Sequence, residues 1–273
     1  MRDMGSRFGN FMYFLYRWIS PLVDPIRLMR GIVGYFWYWH DLYRYKKMKD
    51  SEKILLMNTY PVLNERVPTT PIDSHYFYQD NWAVKQIYQN GNIYHVDVGS
   101  NIYTVGHIAG FTHVTFVDIR PLQAKWDNLE CVSGDILNLP FVDNSVQSLS
   151  CLHVAEHVGL GRYGDRLDPE GTKKAARELI RVLARGGNLY FSLPVGRSRL
   201  CFNSHRIHSP RTIIDYFNGL ELIESSGVTD SVGKRTGLFV RNVPIDILEN
   251  SHYACGLFWF RKIMNVCSLP SGS

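Results

Sequence analysis

Apolar and polar positions recur along the chain in two periods. Short runs rich in β-branched, aromatic and aliphatic residues appear at Ile93–Val98, His113–Asp118, Leu129–Val132, Val146–Cys151, Asn188–Leu193, Glu221–Ser225 and Gly256–Phe260, each with the length of a strand. Segments of helical spacing lie between the early ones. From Ile72 to Gly91, IDSHYFYQDNWAVKQIYQNG predicts a helix capped by Asp73 or Ser74, with Trp82, Val84, Ile87 and Tyr88 as its buried stripe and Asn90-Gly91 as its end. From Pro169 to Gly187, PEGTKKAARELIRVLARGG predicts another. Strands alternating with helices imply an α/β fold with a mostly parallel, seven-stranded sheet covered by helices on both faces. There is no internal repeat and no low-complexity stretch.

The first 49 residues break this pattern. They are dense in aromatics and carry Arg17, Asp24, Arg27 and Arg30 among their apolar stretches. No stretch reaches the roughly 20 uninterrupted apolar residues of a membrane span, and no small-residue cleavage site of the secretory kind is present. Phe11, Phe14, Leu15, Trp18 and Leu22 recur at helical spacing, and Trp, Tyr and Arg together suit the boundary between acyl chains and headgroups. Two readings stand: a membrane-surface extension, or an amphipathic segment packed on protein. The expected organisation is an extension over 1–49 and a domain over 50–273, with an insertion near 226–250.

Composition narrows the class. At 273 residues, 45% hydrophobic and 20% charged, the chain is long enough to bury a sizeable core without disulfide staples. A net charge of +5 permits an acidic partner but is too diffuse for a nucleic-acid binder. Cys131, Cys151, Cys201, Cys255 and Cys267 form no CxxC pair, which favours a reducing, cytoplasmic setting, peripheral on the membrane if the extension binds one, and argues against a structural zinc site.

In an open, mainly parallel sheet, ligands bind beyond the carboxyl ends of the strands, near the point where the connections reverse. The chemistry-bearing residues fall there. Asp97-Val98-Gly99-Ser100-Asn101 ends the first strand, Asp118 ends the second, Asp135 and Ile136 follow the third, and His153 to His157 follow the fourth. Gly99 lets backbone approach a ligand closely, Asp118 is suited to accept both hydroxyls of a ribose, Asp135 to accept from an adenine amino group, and Ile136 to pack on the ring.

These residues, carried by VDVGSN, VDIRP, GDILNLPFVDNSVQSLSCLHVAEHV and ELIRVLARGGNLYFSLPVG, resemble the class I S-adenosylmethionine-dependent methyltransferases over roughly Ile93 to Ser225. The chain as a whole, including GLFWFRK near its end, also resembles the DUF268 family, whose bacterial members are associated with surface-polysaccharide genes. The resemblance implies a Rossmann-like fold and S-adenosylmethionine as cofactor. It implies Asp97 and Gly99 beside the methionine part, Asn101 among the cofactor-binding residues, Asp118 on the ribose, Asp135 with Ile136 at the adenine, and His153 facing the transferable methyl. One departure is Tyr103, where the family pattern has glycine and where bulk can reshape or fill the methionine pocket. Asn101 has a precedent in related methyltransferases with GAN turns.

HVAEHV, if helical, sets His153, Glu156 and His157 on one face. Ubiquinone-type O-methyltransferases hold a divalent cation with an acid-x-x-Glu-His arrangement. His153 replaces that acid, so no metal is expected here. Methyl transfer to oxygen needs in-line placement and a base. The candidates are His153, His157 and, in FNSHRIHSPRTI, His205 and His208, while Arg206 can receive an anion and Ser209-Pro210 can start a helix. Lys234, Arg235 and Arg241 can face a phosphate or acidic sugar. The function expected from these features is O-methylation of a saccharide or lipid-linked saccharide. The alternative is a non-catalytic interaction protein at a membrane that keeps the fold while Tyr103 closes the pocket. A nicotinamide oxidoreductase fits less well, because the full GxGxxG is missing.

Overall fold

Asp24 divides the N-terminal region into two helices, α1 (Arg2–Ile19) and α2 (Pro25–Lys46). Its carboxylate accepts from the Ile26 and Arg27 amides at 3.0 Å, Pro25 fills the first helical position, where an N–H would lack a partner, and the Tyr16 hydroxyl donates to the same carboxylate at 3.2 Å. The periodicity that runs through Leu22 is therefore interrupted: α1 ends at Ile19 and Leu22 lies in the turn. Phe11, Phe14, Trp18 and Leu22 are exposed. This computed structural model describes residues 2–120, 122–229 and 237–264, and for 2–8 and 10 the backbone alone. Two compact units divide the chain, Met1–Pro71 and Ile72–Ser273. Among the described residues no helix is long and apolar enough to cross a membrane.

The second unit begins with α3 (Ser74–Asn90), capped by Asp73, whose carboxylate accepts from the His75 and Tyr76 amides, and ended by Gly91 at φ +66°. Its buried face is Gln79, Trp82, Ala83, Gln86 and Ile87, whereas Tyr88 is exposed and Val84 only half-buried. Two glutamines enter the core because each finds a partner there. The Ser192 hydroxyl donates to Gln79 at 2.5 Å, and Gln86 donates to Glu224 at 3.1 Å. Glu224 also accepts from Trp82 Nε1 at 2.9 Å, from the Ser226 hydroxyl at 2.6 Å and from Arg241 at 2.8 Å.

The sheet contains β1 (Tyr94–Val98), β2 (His113–Asp118), β3 (Leu129–Ser133), β4 (Val146–Leu152), β5 (Leu183–Val195), β8 (Leu220–Thr229), β9 (Leu238–Val240) and β10 (Ala254–Lys262) in the order β3-β2-β1-β4-β5-β10-β8-β9. Pairing is parallel from β3 to β5 and antiparallel beyond it. The sheet thus has eight strands where seven were expected. The extra edge strand, β9, comes from the segment read as an insertion and pairs with the end of β8. A short hairpin, β6 (Arg199–Cys201) with β7 (His205–Ile207), stands apart from it.

Helices α3 and α4 (Ile102–Ala109) pack Trp82, Ile87, Val105 and Ile108 with Phe116, Tyr190 and Leu257 in one buried cluster. Helices α5 (Gly171–Val182), α6 (Pro210–Tyr216) and α7 (Ile245–Asn250) pack Leu179, Ile213 and Leu248 with Leu149, Phe191 and Phe258 in another. Tyr190 and Phe191, adjacent in β5, point to opposite clusters, as alternation along a strand requires. The helix expected to run to Gly187 stops at Val182. Leu183 turns extended and pairs with Val146, so burial beside β4 overrides the helical preference of LARGG.

Candidate functional site

The strand order reverses between β1 and β4, and the ends of these two strands build the site. At the turn after β1, Gly99 takes φ +70°, and a Cβ there would lie 3.0 Å from Val154 Cγ1. Only glycine meets both demands without strain. The Ser100 amide donates to Asp97 at 3.0 Å, and the Ser100 hydroxyl accepts from the Leu152 amide at 3.0 Å, which ties the turn to the end of β4.

Asp97 is fully buried. Its second oxygen accepts from the Ser150 hydroxyl, and His95 lies between Ser148 and Ser150 at 2.7 and 2.8 Å. Burial pushes the Asp97 carboxyl up to about 6, against the opposing hydrogen bonds from Ser150 and Ser100, and pushes His95 down to about 3. Asp97 is thus a strut within the wall and lines neither of the cavities described next. Asn101 caps α4 by accepting from the Tyr103 amide at 2.9 Å and also lines neither. Tyr103 is 75% exposed and lines neither, so its bulk fills neither cavity.

A narrow cavity of about 90 Å³ runs along the strand ends, lined by Gly99, Asp118, Asp135, Ile136, Val154 and Tyr163 among others. Asp118 accepts from the Arg120 amide at 2.6 Å, and the Arg120 guanidinium lies 3.6 Å from the same carboxylate and 4.2 Å over the Tyr163 ring. Asp135 accepts from the Leu137 amide at 2.8 Å in a local turn. The loop that delivers Tyr163 is held by Asp165, which accepts from the Gly159 and Tyr163 amides at 2.7 and 3.2 Å. It is also held by Arg206, which donates to the carbonyls of Val158 and Asp168. Arg206, expected to receive an anion, is spent on this brace. Arg120 sits inside the quoted VDIRP, yet nothing in the pattern announces its stacking. Tyr163 lies in a glycine-rich loop with no period to read.

A larger cavity, of about 630 Å³, is lined by Asp73, His75, Tyr76, Glu156, Arg162, His205 and Tyr253, with further polar groups around them. His153 and His157 line both cavities. The HVAEHV segment that carries them is a turn and not a helix, with His153 at φ +56° and its amide donating to the Ser192 carbonyl at 2.9 Å. The shared helix face expected for His153, Glu156 and His157 therefore does not exist.

Burial, reinforced by His75, His157 and His205, holds the His153 imidazole well below its ordinary range. Glu156 is fully buried, and neither of its oxygens has a hydrogen-bond partner among the described residues. Burial pushes its carboxyl up to about 8. One oxygen lies 3.6 Å from His157 Nε2, while His157 Nδ1 is 2.6 Å from the Ser204 carbonyl and so carries the proton it donates there. Burial lowers His157 to about 4; the Ser204 bond opposes this and Arg162 adds to it. The Glu156–His157 pair is therefore uncharged near neutrality, with its proton on the carboxyl.

His205 Nδ1 meets the Ser204 hydroxyl at 2.8 Å in the wall of the larger cavity. His208 lies 3.3 Å from Thr172, lowered to about 4 by burial and by Arg206, and lines neither cavity. Of the ten candidate site residues, Gly99, Asp118, Asp135, Ile136, His153, His157 and His205 are brought to the two cavities, and Asp97, Asn101 and His208 are not. Arg241 faces Glu224 and not a ligand, while Lys234 and Arg235 lie outside the described residues.

This architecture recurs in solved structures. A chain from the Haloferax volcanii complex between the Trm112 methyltransferase activator and a methyltransferase aligns with a TM-score of 0.50 at 16% identity, over 70% of this chain and 91% of that one. The N-methyltransferase NodS of Bradyrhizobium japonicum aligns with a TM-score of 0.50 at 14% identity, over 70% and 97%. The [4+2]-cyclase SpnF aligns with a TM-score of 0.50 at 14% identity, over 68% and 81%. The chain has the class I methyltransferase fold. Residues 141–239 match a family model described as Caenorhabditis protein of unknown function, DUF268. That match spans β4 to β9 and omits both the N-terminal extension and the GLFWFRK strand. No curated protein matches the sequence.

Proposed function

We propose that the protein is an S-adenosylmethionine-dependent methyltransferase acting on a hydroxyl of a saccharide or lipid-linked saccharide. The observation that supports this reading above the others is the shared wall. One cavity follows the strand ends where a nucleoside belongs, a larger polar one adjoins it, and His153 and His157 line both. A donor in the first and an acceptor in the second would meet at these two residues. SpnF is a cyclase, so the fold by itself does not supply the reaction.

The residues fit the cofactor. Gly99 presents backbone where a side chain would collide, Asp118 supplies a ribose acceptor at the end of β2, and Asp135 with Ile136 supplies a polar and an apolar contact for a base. A cavity of about 90 Å³ is smaller than the roughly 300 Å³ or more of a small-molecule site, so Arg120 and Tyr163 must swing outward to admit a nucleoside. When bound, S-adenosylmethionine supplies an electrophilic methyl group. The protein's part is to orient the acceptor hydroxyl and take its proton. His157 is placed for the second task, because its Nδ1–H is fixed on the Ser204 carbonyl and the lone pair is left on Nε2, beside Glu156.

A polyhydroxylated acceptor suits the larger cavity, whose wall combines hydrogen-bonding groups (Asp73, Ser204, His205, Arg162) with the rings of Tyr76 and Tyr253. Asp118→Ala is expected to weaken binding of S-adenosylhomocysteine about 10–100-fold, the loss of about 1.5–3 kcal/mol that goes with a charged hydrogen-bond acceptor. Calorimetry with the variant checks this, and unchanged affinity would remove Asp118 from the ribose.

The exposed Phe14 and Trp18, with Arg17 between them, support peripheral contact of the N-terminal unit with anionic lipid. In flotation of the full chain with phosphatidylserine vesicles, a Phe14→Glu/Trp18→Glu variant should lose the recovery seen with wild type. Equal recovery would reject the contact.

A further inference from the structure

We infer that His75, His153 and Cys255 form a binding site for a zinc-class divalent cation, with its open position facing the larger cavity. One ligand atom from each of the three residues lies within 4.8 Å of the others, and His153 Nδ1 is 4.0 Å from Cys255 Sγ. In a tetrahedral zinc site, bonds of about 2.0–2.3 Å put neighbouring ligand atoms roughly 3.3–3.6 Å apart. Side-chain rotations that bring these atoms together by about 1.5 Å or less therefore complete the geometry.

The three come from separate elements: His75 from the first turn of α3, His153 from the turn after β4, and Cys255 from β10. Their convergence is a product of tertiary folding, which is why spacing in the chain gives no sign of it. Cys255 is fully buried, and besides His153 its sulfur has long contacts to the Gln79 and Gly256 oxygens at 4.0 and 3.8 Å. Two buried features, one on a member of the cluster and one on Glu156 in the same cavity wall, point to a ligand. His153 Nε2 and both oxygens of Glu156 are sealed from solvent without hydrogen-bond partners among the described residues, an arrangement that costs stability unless something binds there.

The donor set chooses the metal. A thiolate with two imidazoles suits zinc, cobalt or copper and is poor for magnesium or calcium, which take oxygen ligands. Binding releases the Cys255 thiol proton to solvent. With three protein ligands the cation keeps one position, and His75 and His153 both line the cavity, so a hydroxyl bound there can be the fourth ligand. This site differs from the His153, Glu156 and His157 helix face that the sequence brought to mind, and it does not depend on methyl transfer.

The test uses the full chain, stripped with a chelator and titrated with Co²⁺, then with Zn²⁺ in competition. The expected result is one metal per chain, intense visible bands of tetrahedral cobalt, and a thiolate-to-cobalt charge-transfer band in the near ultraviolet. Zn²⁺ should displace the cobalt stoichiometrically. Cys255→Ser should abolish the charge-transfer band, His75→Gln should abolish stoichiometric binding, and His107→Gln, on the exposed side of α4, should change neither. Absence of stoichiometric metal on a wild-type chain whose circular dichroism shows it folded would overturn the site, as would a cobalt spectrum that Cys255→Ser leaves intact. Binding of S-adenosylhomocysteine to the same stripped sample reports on the methyltransferase reading separately.

Discussion

Replacing His157 with glutamine is expected to lower kcat by about 10²–10⁴-fold, the range lost when a positioned general base is removed. Affinity for the cofactor should change little, because His157 shares that cavity's wall without being one of its ribose or base contacts. The pH profile carries a sharper signature. Burial holds His157 at about 4, with Arg162 beside it, so the wild-type imidazole is a competent base from weakly acid pH upward. The rate should fall only as pH drops through about 4, where the imidazole takes a proton, and not near the 6.5 of an ordinary histidine. Glu156 adds an upper limit at about 8, where its carboxyl ionises and restores charge to the pair. A variant with unchanged kcat, or a wild-type profile that breaks near 6.5, would move the base elsewhere in the cavity, to His205 first.

Glu224→Ala should unfold the second unit more easily than any substitution in the cavities. The Glu224 carboxylate is buried and accepts from Trp82, Gln86, Ser226 and Arg241, which joins α3, β8 and the segment after β9. Removing it leaves a buried indole N–H, a buried amide and a half-exposed guanidinium facing one another with no acceptor. Each buried donor left without its acceptor costs about 1–3 kcal/mol. The expected outcome is a lower denaturant midpoint at unchanged slope, with Glu224→Gln intermediate because one acceptor oxygen survives. A loss under about 1 kcal/mol would mean that the carboxylate's own desolvation nearly cancels its hydrogen bonds.

The pattern of strands was legible because burial on both faces leaves a mark that needs no partner to be known. Apolar runs such as His113–Asp118 appear in the structure with the same ends. What depends on partners was not legible. Leu183 leaves the helix because Val146 lies beside it, and β9 exists because β8 offers an edge. The predicted stripe of α3 left out Gln79 and Gln86, yet both are buried, on Ser192 and Glu224.

The candidate site divides in the same way. Gly99, Asp118, Asp135 and Ile136 reach the cavity because strand ends fix their place, and strand ends follow from period and length. Asp97 shares that position in the chain but turns into the wall, since Ser150, fifty-three residues away, supplies its partner. His208 has the composition of a site residue and the surroundings of a packed one. Arg120 and Tyr163, which line the narrow strand-end cavity, come from a turn and an irregular loop whose conformations rest on Asp118, Asp165 and Arg206.

The central claim is that the turn after β1 and the ends of β2 and β3 hold S-adenosylmethionine. Calorimetric titration of the purified full chain with S-adenosylmethionine and S-adenosylhomocysteine, with NAD as control, tests it most directly. The expected result is one site per chain with a Kd in the micromolar range, about −8 kcal/mol, and no binding of NAD. A folded sample that gives no heat with either adenosyl ligand, with and without polysaccharide-type acceptors present, would contradict it.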